Sequence, residues 1–467
     1  MIVRTRPISR ATTIRALDRR LIDGVGIPSA LLMDHAAHLV ADAIRARFPD
    51  ARRVVVLVGP GNNGGDGYAA ARHLAIAGVA VRVVPVMAAR SPECVLHAGI
   101  AERLGLVAPV PQVWATLFDG APPDLYVDAI FGTGQRAPVE VPALPPMGAP
   151  LVALDVPTGI DADTGARVGA FPAADHVVTI GRLKPFLYVD VVPWDLVDIG
   201  AELVAADVEG APEAVLVQSL TPTPFGRNES KWSRGHVGVY AGSPEMAGAG
   251  ALAARGALRA GAGLVTLLVP KEAWSRLGTL PPEVMVRERG DLERYDALVL
   301  GPGLGRGADA EVRRIWAELA IPCVFDADGL NALDGTPSAH LRLITPHAGE
   351  AARLLGNPWR TLEADRLATA ARLRAIAPAI YKGACPIVTG APLRVVEGGL
   401  PQMATGGSGD VLSGVCGALL ARLRPQDRDG VEAVALEAAW LHQRAGALAG
   451  PVGIGAADIA DALPRAR

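Results

Sequence analysis

The sequence predicts an α/β protein of two domains, each built around a mostly parallel sheet. The chain has 467 residues, which is more than one ordinary hydrophobic core accommodates. Short apolar runs end repeatedly in glycine-rich or polar loops and are followed by helical patterns, as in strand–turn–helix units. Residues 201–230 lose strong periodicity and contain three prolines. We therefore place the boundary near residue 215, between domains 1–215 and 216–467.

The first strand–loop–helix unit begins after a helical region at residues 13–47. The continuous apolar run 53–58 predicts a strand buried on both faces of a parallel sheet. A glycine-rich loop at residues 59–67, an alanine-rich helix at 68–77 and a strand at 79–86 follow. The loop fits G-x-G-x-x-G, but the next strand ends without the acidic residue of a dinucleotide-binding unit. We therefore discount a hydride-transfer domain.

Polar groups follow two further apolar runs, at residues 124–131 and 150–154. Parallel strands bring their carboxyl ends to one edge of a sheet, where open α/β sheets bind ligands. Four side chains could then converge: Asn63, Asp128, Asp155 and Thr158. Their amide, carboxylate and hydroxyl oxygens suit a hard cation. The alternative for either aspartate alone is a helix cap or a turn.

The second half repeats the pattern and adds a phosphate-type loop. Strands are predicted at residues 236–240, 264–269, 297–300, 323–325, 343–345 and 379–381, and a helix at 249–260. Gly406-Gly407-Ser408-Gly409 precedes Asp410 and a buried helix expected from Val411. Such a loop suits a phosphate, and the helix dipole should keep Asp410 ionised as a base. The alternatives are a plain glycine-rich turn here, a helix cap at His347 and a turn at Lys382.

Residues 62–66, 128–134 and 155–159 resemble the N-terminal epimerase domain of the bifunctional NAD(P)H-hydrate repair enzymes. The match spans about residues 10–210 and implies a Rossmann-like domain that interconverts the R and S epimers of hydrated NADH and NADPH. It implies a potassium ion held by Asn63, Asp128 and Thr158, with threonine where the family usually has serine, and a catalytic Asp155. The implied substrate contacts are Asn62, Asn63, Gly64, Gly65, Asp66, Gly132, Thr133, Gly134, Gln135, Arg136, Ala137, Pro138 and Asp155.

The second half, over about residues 225–465, resembles the ADP- or ATP-dependent NAD(P)H-hydrate dehydratases, which have a ribokinase-like fold. Residues 301–305, 326–331, 345–350 and 404–414 carry the resemblance. The implied hydrate contacts are Ala249, Gly303, His347 and the catalytic Asp410. The implied nucleotide contacts are Lys382, Gly383, Ala384, Cys385, Pro386 and Gly409. Cys385-Pro386 replaces the family's usual Gly-Thr, and Pro386 removes one backbone N–H donor.

The two resemblances together imply a bifunctional metabolite-repair enzyme that is an isomerase and a lyase. The bacterial-type domain order implies ADP as phosphate donor, and magnesium should accompany the nucleotide. The main rival is a ribokinase-like small-molecule kinase whose N-terminal half is a non-catalytic binding domain.

Composition and sequence patterns also bear on the partners and the location of the protein. A net charge of -3 gives no basic footprint for nucleic acid. No apolar run reaches the roughly 18 residues of a membrane span, and no signal peptide is recognised. The cysteines lack CxxC spacing, which predicts four buried free thiols in a reducing compartment. We therefore expect a cytoplasmic enzyme with small-molecule partners, no nucleic acid or membrane partner, and a homo-oligomeric state.

Overall fold

A computed structural model describes residues 1–110, 114–135, 148–189, 191–208, 210–305 and 307–467. Their contacts divide the chain into two compact units. The N-terminal unit comprises residues 7–212, and the C-terminal unit comprises residues 213–467 together with Met1–Arg6. The first strand, β1 (Ile2–Ile8), explains this exchange, because it joins a sheet of the C-terminal unit.

The N-terminal unit is built on a parallel sheet, as its buried apolar runs predict. Within the described residues the sheet has six strands in the order β3-β2-β4-β5-β6-β7. The strands are β2 (Arg53–Val58), β3 (Ala80–Pro85), β4 (Leu125–Ala129), β5 (Leu151–Leu154), β6 (His176–Ile180) and β7 (Trp194–Val197). The helices are α1 (Ala11–Arg19), α2 (Ser29–Arg47), α3 (Asn62–Ile76), α4 (Pro92–Arg103) and α5 (Ala205–Val208). The strand order reverses between β2 and β4, which places a ligand crevice at their carboxyl ends.

Helix α3 begins at Asn62, six residues before the predicted start at Tyr68. The glycines that indicated a loop serve close packing instead. A Cβ on Gly64 would lie 2.1 Å from the Gly59 carbonyl oxygen, and one on Gly65 would lie 2.7 Å from Met33 Sδ. The glycines therefore let the first turns of the helix press against the strand end and helix α2.

The C-terminal unit contains a second parallel sheet, of six strands among the described residues, in the order β11-β10-β9-β12-β13-β14. These are β9 (His236–Tyr240), β10 (Leu264–Leu268), β11 (Val284–Arg287), β12 (Ala297–Leu300), β13 (Cys323–Phe325) and β14 (Arg342–Ile344), after β8 (Ala214–Thr221). Its helices are α6 (Ala247–Arg259), α7 (Asp309–Glu318), α8 (Asp328–Asn331), α9 (Ala348–Leu355), α10 (Trp359–Ala364), α11 (Arg366–Ile376), α12 (Ser408–Leu423), α13 (Arg428–Ala449) and α14 (Ala456–Ala462). The strand order reverses between β9 and β12, which marks the second ligand crevice.

A mixed sheet, of order β1-β8-β17-β16-β15, continues the C-terminal unit through a bridge from Ile344 to Ala379. Its remaining strands are β15 (Ile380–Tyr381), β16 (Ile387–Val388) and β17 (Leu393–Val396). Strand β8 lies within the stretch that the sequence predicts to be aperiodic. The first four residues of β8 are buried, as in a typical strand. The prolines that follow it made the sequence pattern look irregular.

Helices α6 and α12 cross at glycines and fix the start of α12 against the sheet. A Cβ on Gly414 would lie 2.0 Å from the Ala253 carbonyl oxygen, and one on Gly256 would lie 2.5 Å from that of Val411. Both contacts are with backbone, so no side-chain rotation relieves them. The crossing therefore requires glycine on both helices.

Gly414→Ala should destabilise the C-terminal unit, because the added methyl group forces the two helix backbones apart. Overpacking of this kind costs about 1–3 kcal/mol, which chemical denaturation measures as a loss in the free energy of unfolding. Gly248→Ala is the matched control, since Gly248 lies on α6, the other helix of the crossing, and a Cβ there meets nothing within 4 Å. Equal unfolding free energies for the two variants would contradict this account of the crossing.

The cysteines agree with the expectation from their spacing. Cys94, Cys323, Cys385 and Cys416 are buried and free, which confirms the predicted thiols. Across the described ranges, no helix combines the length and hydrophobicity needed to cross a bilayer.

Candidate functional site

The N-terminal unit has a cavity of about 680 Å³ at its crevice. Its walls come from helices α1, α2 and α3, from the loops that follow β2, β4, β5 and β7, and from the end of β6. The polar and charged lining residues are Arg15, Asp18, Ser29, Asn62, Asn63, Asp66, Thr133, Gln135 and Asp155. The convergence predicted from the strand ends is therefore present for Asn63 and Asp155.

Asp128 is completely buried at the end of β4 and is bonded to the loop after β5. The Thr158 N–H and hydroxyl donate to its two oxygens, both at 2.7 Å, and the Ile130 N–H donates at 3.1 Å. Burial raises the pKa of Asp128 to about 6 despite these bonds. Within the described part of the chain, no cationic side chain pairs with this carboxyl group. The site is therefore short of positive charge.

Asn63 supplies an unused acceptor beside this network. Its Nδ2 donates to the Phe131 carbonyl oxygen at 3.0 Å, and the Phe131 N–H donates to Thr158 Oγ1 at 3.2 Å. The buried Asn63 Oδ1 has no hydrogen-bond partner among the described residues. A buried oxygen without a donor is costly unless something else satisfies it. This oxygen and the buried carboxylate fit a hard cation.

Asp155 is held in a strained backbone conformation, with φ at 63°. Such strain persists only where the surroundings fix it, and it concentrates at functional sites. Lys184 Nζ lies 2.6 Å from Asp155 Oδ1, and the Ile180 N–H donates to the same oxygen. The ammonium group also donates to Thr179 Oγ1 and to the Ile180 and Arg182 carbonyl oxygens. A buried lysine thus fixes one oxygen of the carboxylate.

Two more carboxyl groups on the cavity wall interact with Asp155. Burial raises the pKa of Asp18 to about 6, and the Asp155 charge adds to that rise while Lys184 opposes it. Burial, followed by the charges of Asp155 and Asp18, raises the pKa of Asp66 well above its usual value. Sequence reasoning missed Asp18 and Lys184. The scarcity of lysine was a usable signal for Lys184, but Asp18 lies in an ordinary amphipathic helix.

The other predicted residues of this half divide into three groups. Asn62, Asp66 and residues 132–135 line the cavity. Gly64 and Gly65 are buried in α3 and do not line it. Arg136, Ala137 and Pro138 lie outside the described residues.

The glycine loop of the C-terminal unit leads into α12 three residues earlier than predicted, at Ser408. Gly407 precedes the helix in the left-handed conformation, with φ at 91°, which glycine adopts without strain. His442 Nε2 donates to the Ser408 carbonyl oxygen at 2.9 Å. Burial lowers the pKa of His442 to about 4, so the ring is a neutral donor at physiological pH. The amino end of α12 is therefore anchored to α13.

Lys382 joins the loop to two acidic residues. Its Nζ lies 2.6 Å from Asp326 Oδ1 and 3.6 Å from Glu350 Oε2. Ser413 Oγ donates to Asp326 Oδ2 at 2.5 Å, and a Cβ on Gly409 would lie 3.4 Å from the ammonium nitrogen. Burial alone would lower the pKa of Lys382, but Asp326 and Glu350 outweigh it and raise the pKa. The lysine therefore stays charged beside the loop.

Asp410 lies in the first turn of α12, but the expectation that the helix dipole keeps it ionised is wrong. Burial, followed by the charge of Asp326, raises its pKa to about 7, against the opposing effect of Lys382. Desolvation and neighbouring carboxylates outweigh the dipole here. A carboxyl group of this kind is half protonated at neutral pH, which suits a base that must also release its proton.

The predicted hydrate contacts of this half surround the same crevice. The Ser243 N–H donates to the Gly303 carbonyl oxygen at 2.6 Å, and a Cβ on Gly303 would lie 2.9 Å from that of Ala249. Ala249 and Gly303 thus lie together. His347 caps α9, because its Nδ1 accepts from the Gly349 N–H at 2.9 Å. The capping alternative for His347 is correct, and its exposed ring still lies 3.4 Å from Glu350.

Arg366 shapes the loop that contains the predicted nucleotide contacts. Its guanidinium donates to the carbonyl oxygens of Lys382 and Cys385 and pairs with Glu363 at 2.8 Å. The ring of Tyr381 lies 4.6 Å below it. These contacts of Arg366 fix the loop at residues 382–386. The loop contains Gly383, Ala384 and Pro386 and precedes β16.

Comparisons with known proteins agree with this two-unit arrangement. Residues 237–464 match the family model described as NAD(P)H-hydrate dehydratase, and residues 29–186 match that of the YjeF-related protein N-terminus. The bifunctional NAD(P)H-hydrate repair enzyme Nnr of Escherichia coli K12 is 37% identical over 89% of this chain and 86% of its own length. That of Thermanaerovibrio acidaminovorans is 38% identical over 93% and 92%.

Among solved structures, the ADP/ATP-dependent NAD(P)H-hydrate dehydratase of Bacillus subtilis, co-crystallised with ATP/Mg²⁺, aligns with a TM-score of 0.47 at 25% identity. The alignment covers 53% of this chain and 93% of that chain. The relatives above, matched over nearly all of their length at more than 30% identity, show that this chain belongs to the family of bifunctional NAD(P)H-hydrate repair enzymes.

Proposed function

We propose that this chain repairs hydrated NADH and NADPH, with the N-terminal unit epimerising the hydrated nicotinamide and the C-terminal unit dehydrating the S epimer at the expense of ADP. The observation that carries the proposal is the presence of two separate crevices with different chemistry in one chain. The crevice of the N-terminal unit holds carboxyl groups around a cavity of about 680 Å³. The other holds a carboxyl group at a glycine loop beside a charged lysine.

In the N-terminal unit, the proposed site consists of Asp155 and the residues that line the cavity. Asp155 is fixed by Lys184 through one oxygen, which leaves its other oxygen available to the substrate hydroxyl. Residues 132–135 form the facing loop, and Gln135 Oε1 accepts from the Gly159 N–H at 2.8 Å. This bond ties the loop after β4 to the loop after β5, so the two sides of the site are positioned together.

The proposed potassium ligands are Asn63, Asp128 and Thr158. The unpartnered Asn63 Oδ1 and the uncompensated Asp128 carboxyl group support this assignment. A bound cation would supply the missing positive charge and hold the loop after β4 in place. Its contribution is to the architecture of the site, and the acid–base work stays with the cavity carboxyl groups.

Asp128→Asn should abolish epimerisation and leave dehydration of the S epimer at the wild-type rate. The amide keeps the size of the side chain but removes the charge that binds the cation. A second readout is thermal unfolding of the N-terminal unit, which potassium should stabilise in the wild type and not in the variant, since only the native state binds it. Wild-type epimerisation by Asp128→Asn would remove the potassium assignment.

In the C-terminal unit, Asp410 accepts the proton of the ring hydroxyl as that oxygen attacks the β-phosphorus of ADP. The new oxygen–phosphorus bond forms while the bond to AMP breaks, and N–H groups at the start of α12 stabilise the transferring group. The ring carbon–oxygen bond then breaks, phosphate leaves, and the neighbouring carbon loses a proton to restore the double bond. The products are NAD(P)H, AMP and phosphate.

The acidic side chains of this crevice fit a nucleotide-borne magnesium ion. Among the described residues there is no cluster of three His, Cys, Asp or Glu that forms a protein cage for a metal. Mg²⁺ is commonly bound by one or two carboxylates together with substrate phosphates, and Asp410 lies close enough to Asp326, Asp328 and Glu350 for their charges to raise its pKa. Magnesium would neutralise phosphate charge there.

The rival is a small-molecule kinase with a non-catalytic N-terminal unit. Phosphorus NMR of the pure protein with the S hydrate and ADP separates the two. AMP and free phosphate support the dehydratase, and a stable phosphorylated product supports the kinase. The cytoplasmic location and homo-oligomeric state remain predictions, and light scattering tests the second.

A further inference from the structure

We propose that Asp18 and Asp66 form the acid–base pair of the N-terminal site, with Asp18 as a catalytic residue that removes a proton from the incoming water. This inference rests on the proposed epimerase function and adds roles that the comparisons do not carry. The family match begins at residue 29, so Asp18 lies outside it.

The geometry places the two carboxyl groups on one cavity from different elements. Asp18 projects from α1 and Asp66 from the second turn of α3, and both line the same cavity as Asp155. The Asp155 charge acts on both groups, and the Asp18 charge acts on Asp66. Asp155 is already paired with Lys184 at 2.6 Å, which fixes one of its oxygens. Asp18 and Asp66 therefore remain for proton transfer.

Epimerisation at a carbon that bears a hydroxyl group needs one acid and one base. The carbon–oxygen bond breaks, its electron pair leaves with the oxygen, and the oxygen takes a proton to become water. The ring nitrogen's electrons stabilise the carbocation as an iminium ion. Water then adds to the opposite face and gives one proton to a carboxylate. One proton is supplied and one is recovered, so no further reactant is needed.

The charges around Asp18 indicate how the pair is protonated. Arg15 lies on the same helix at the cavity lining, Asp66 comes from α3, Asp155 follows β5, and Lys184 follows β6. Among the described lining residues, α2 and the loop after β4 contribute no charged group. The pKa of Asp66 is raised well above its usual value, while that of Asp18 is about 6. We therefore assign the proton of the pair to Asp66 and the role of base to Asp18.

The protonation of Asp18 and Asp66 predicts how the epimerase kcat/KM changes with pH. Below about pH 6 Asp18 takes up a second proton, and the pair no longer contains a base. The epimerase kcat/KM should therefore fall as the pH is lowered through about 6. The negative charge of the Asp18 carboxylate also stabilises the developing iminium ion in this cavity.

Asp18→Asn in the full chain should lower the epimerase rate by about 10²–10⁴-fold, the usual size of general acid–base assistance. The fall in kcat/KM near pH 6 should also disappear, and Asp18→Glu should restore part of the rate. The dehydratase rate of the same protein, assayed with the S epimer, should be unchanged. Asp23→Asn is the matched control, since Asp23 is exposed beyond the same helix.

The outcomes separate this inference from the proposed function. If Asp18→Asn keeps the wild-type rate and the same pH profile while Asp155→Ala is inactive, Asp18 is not catalytic and the epimerase assignment stands. If the wild type does not epimerise the hydrate at all, the proposed function itself fails. A lower rate with an unchanged fall near pH 6 would make Asp18 structural and would overturn its role as a base.

Discussion

Asp410→Asn should lower the dehydratase rate by about 10²–10⁴-fold, because the amide keeps the shape of the side chain but cannot accept the hydroxyl proton. ADP binding should change little, since backbone N–H groups form most of the proposed cradle. Stability should also hold, because asparagine is tolerated at a helix start. Single-turnover kinetics with the S epimer, combined with calorimetric ADP titration, measure both quantities.

The pH profile gives an independent check on the same residue. The base must be ionised to act, and the pKa of Asp410 is about 7. The wild-type dehydratase rate should therefore rise as the pH increases through about 7 and level off above it. The low rate of Asp410→Asn should lack this rise. Near-normal turnover with normal ADP binding would remove Asp410 as the base.

Lys184→Met should abolish epimerisation and destabilise the N-terminal unit. Removing one partner of a buried ion pair leaves the other charge uncompensated, at a cost of about 3–5 kcal/mol. Lys184 is 1% exposed and its partner Asp155 is 16% exposed, so little water can replace the ammonium group. The free energy of unfolding, from chemical denaturation, tests this prediction.

Two further variants test whether the loss of stability in Lys184→Met comes from the buried ion pair. Lys271→Met removes a lysine that is 66% exposed and pairs with Glu288 on the surface, so it should cost less than about 1 kcal/mol. Asp155→Asn combined with Lys184→Met removes both charges and should recover much of the stability without recovering activity. If Lys184→Met is as stable as Lys271→Met, the buried pair does not have the role assigned to it.

Strand positions were largely predictable from the sequence because both main sheets are parallel and buried. The run 53–58 and the run 236–240 are apolar on both faces and end at glycine or polar residues, so their bounds agree with β2 and β9. Strand β8 was missed because the segment around it is rich in proline. The helix starts at Asn62 and Ser408 were predicted too late, because packing glycines resemble loop glycines in a sequence.

The candidate sites were predictable where a residue follows a strand and not where its role depends on burial. Asp128 lies at the end of a strand, Asp155 and Lys382 directly follow strands, and topology brings all three to the crevices. Asp18 lies on a helix whose position over the cavity is a tertiary property. The protonation of Asp410 also depends on tertiary structure, since burial, followed by the charges of Asp326 and Glu350, raises its pKa against the helix dipole.

The measurement that tests the central claim most directly is consumption of mixed hydrate epimers by the full chain with excess ADP, followed at the absorbance of reduced nicotinamide. We predict that the wild type converts both epimers to completion. Asp128→Asn should stop at the S fraction and continue only at the rate of spontaneous epimerisation. A wild type that also stops at the S fraction would contradict the claim that this one chain performs both steps.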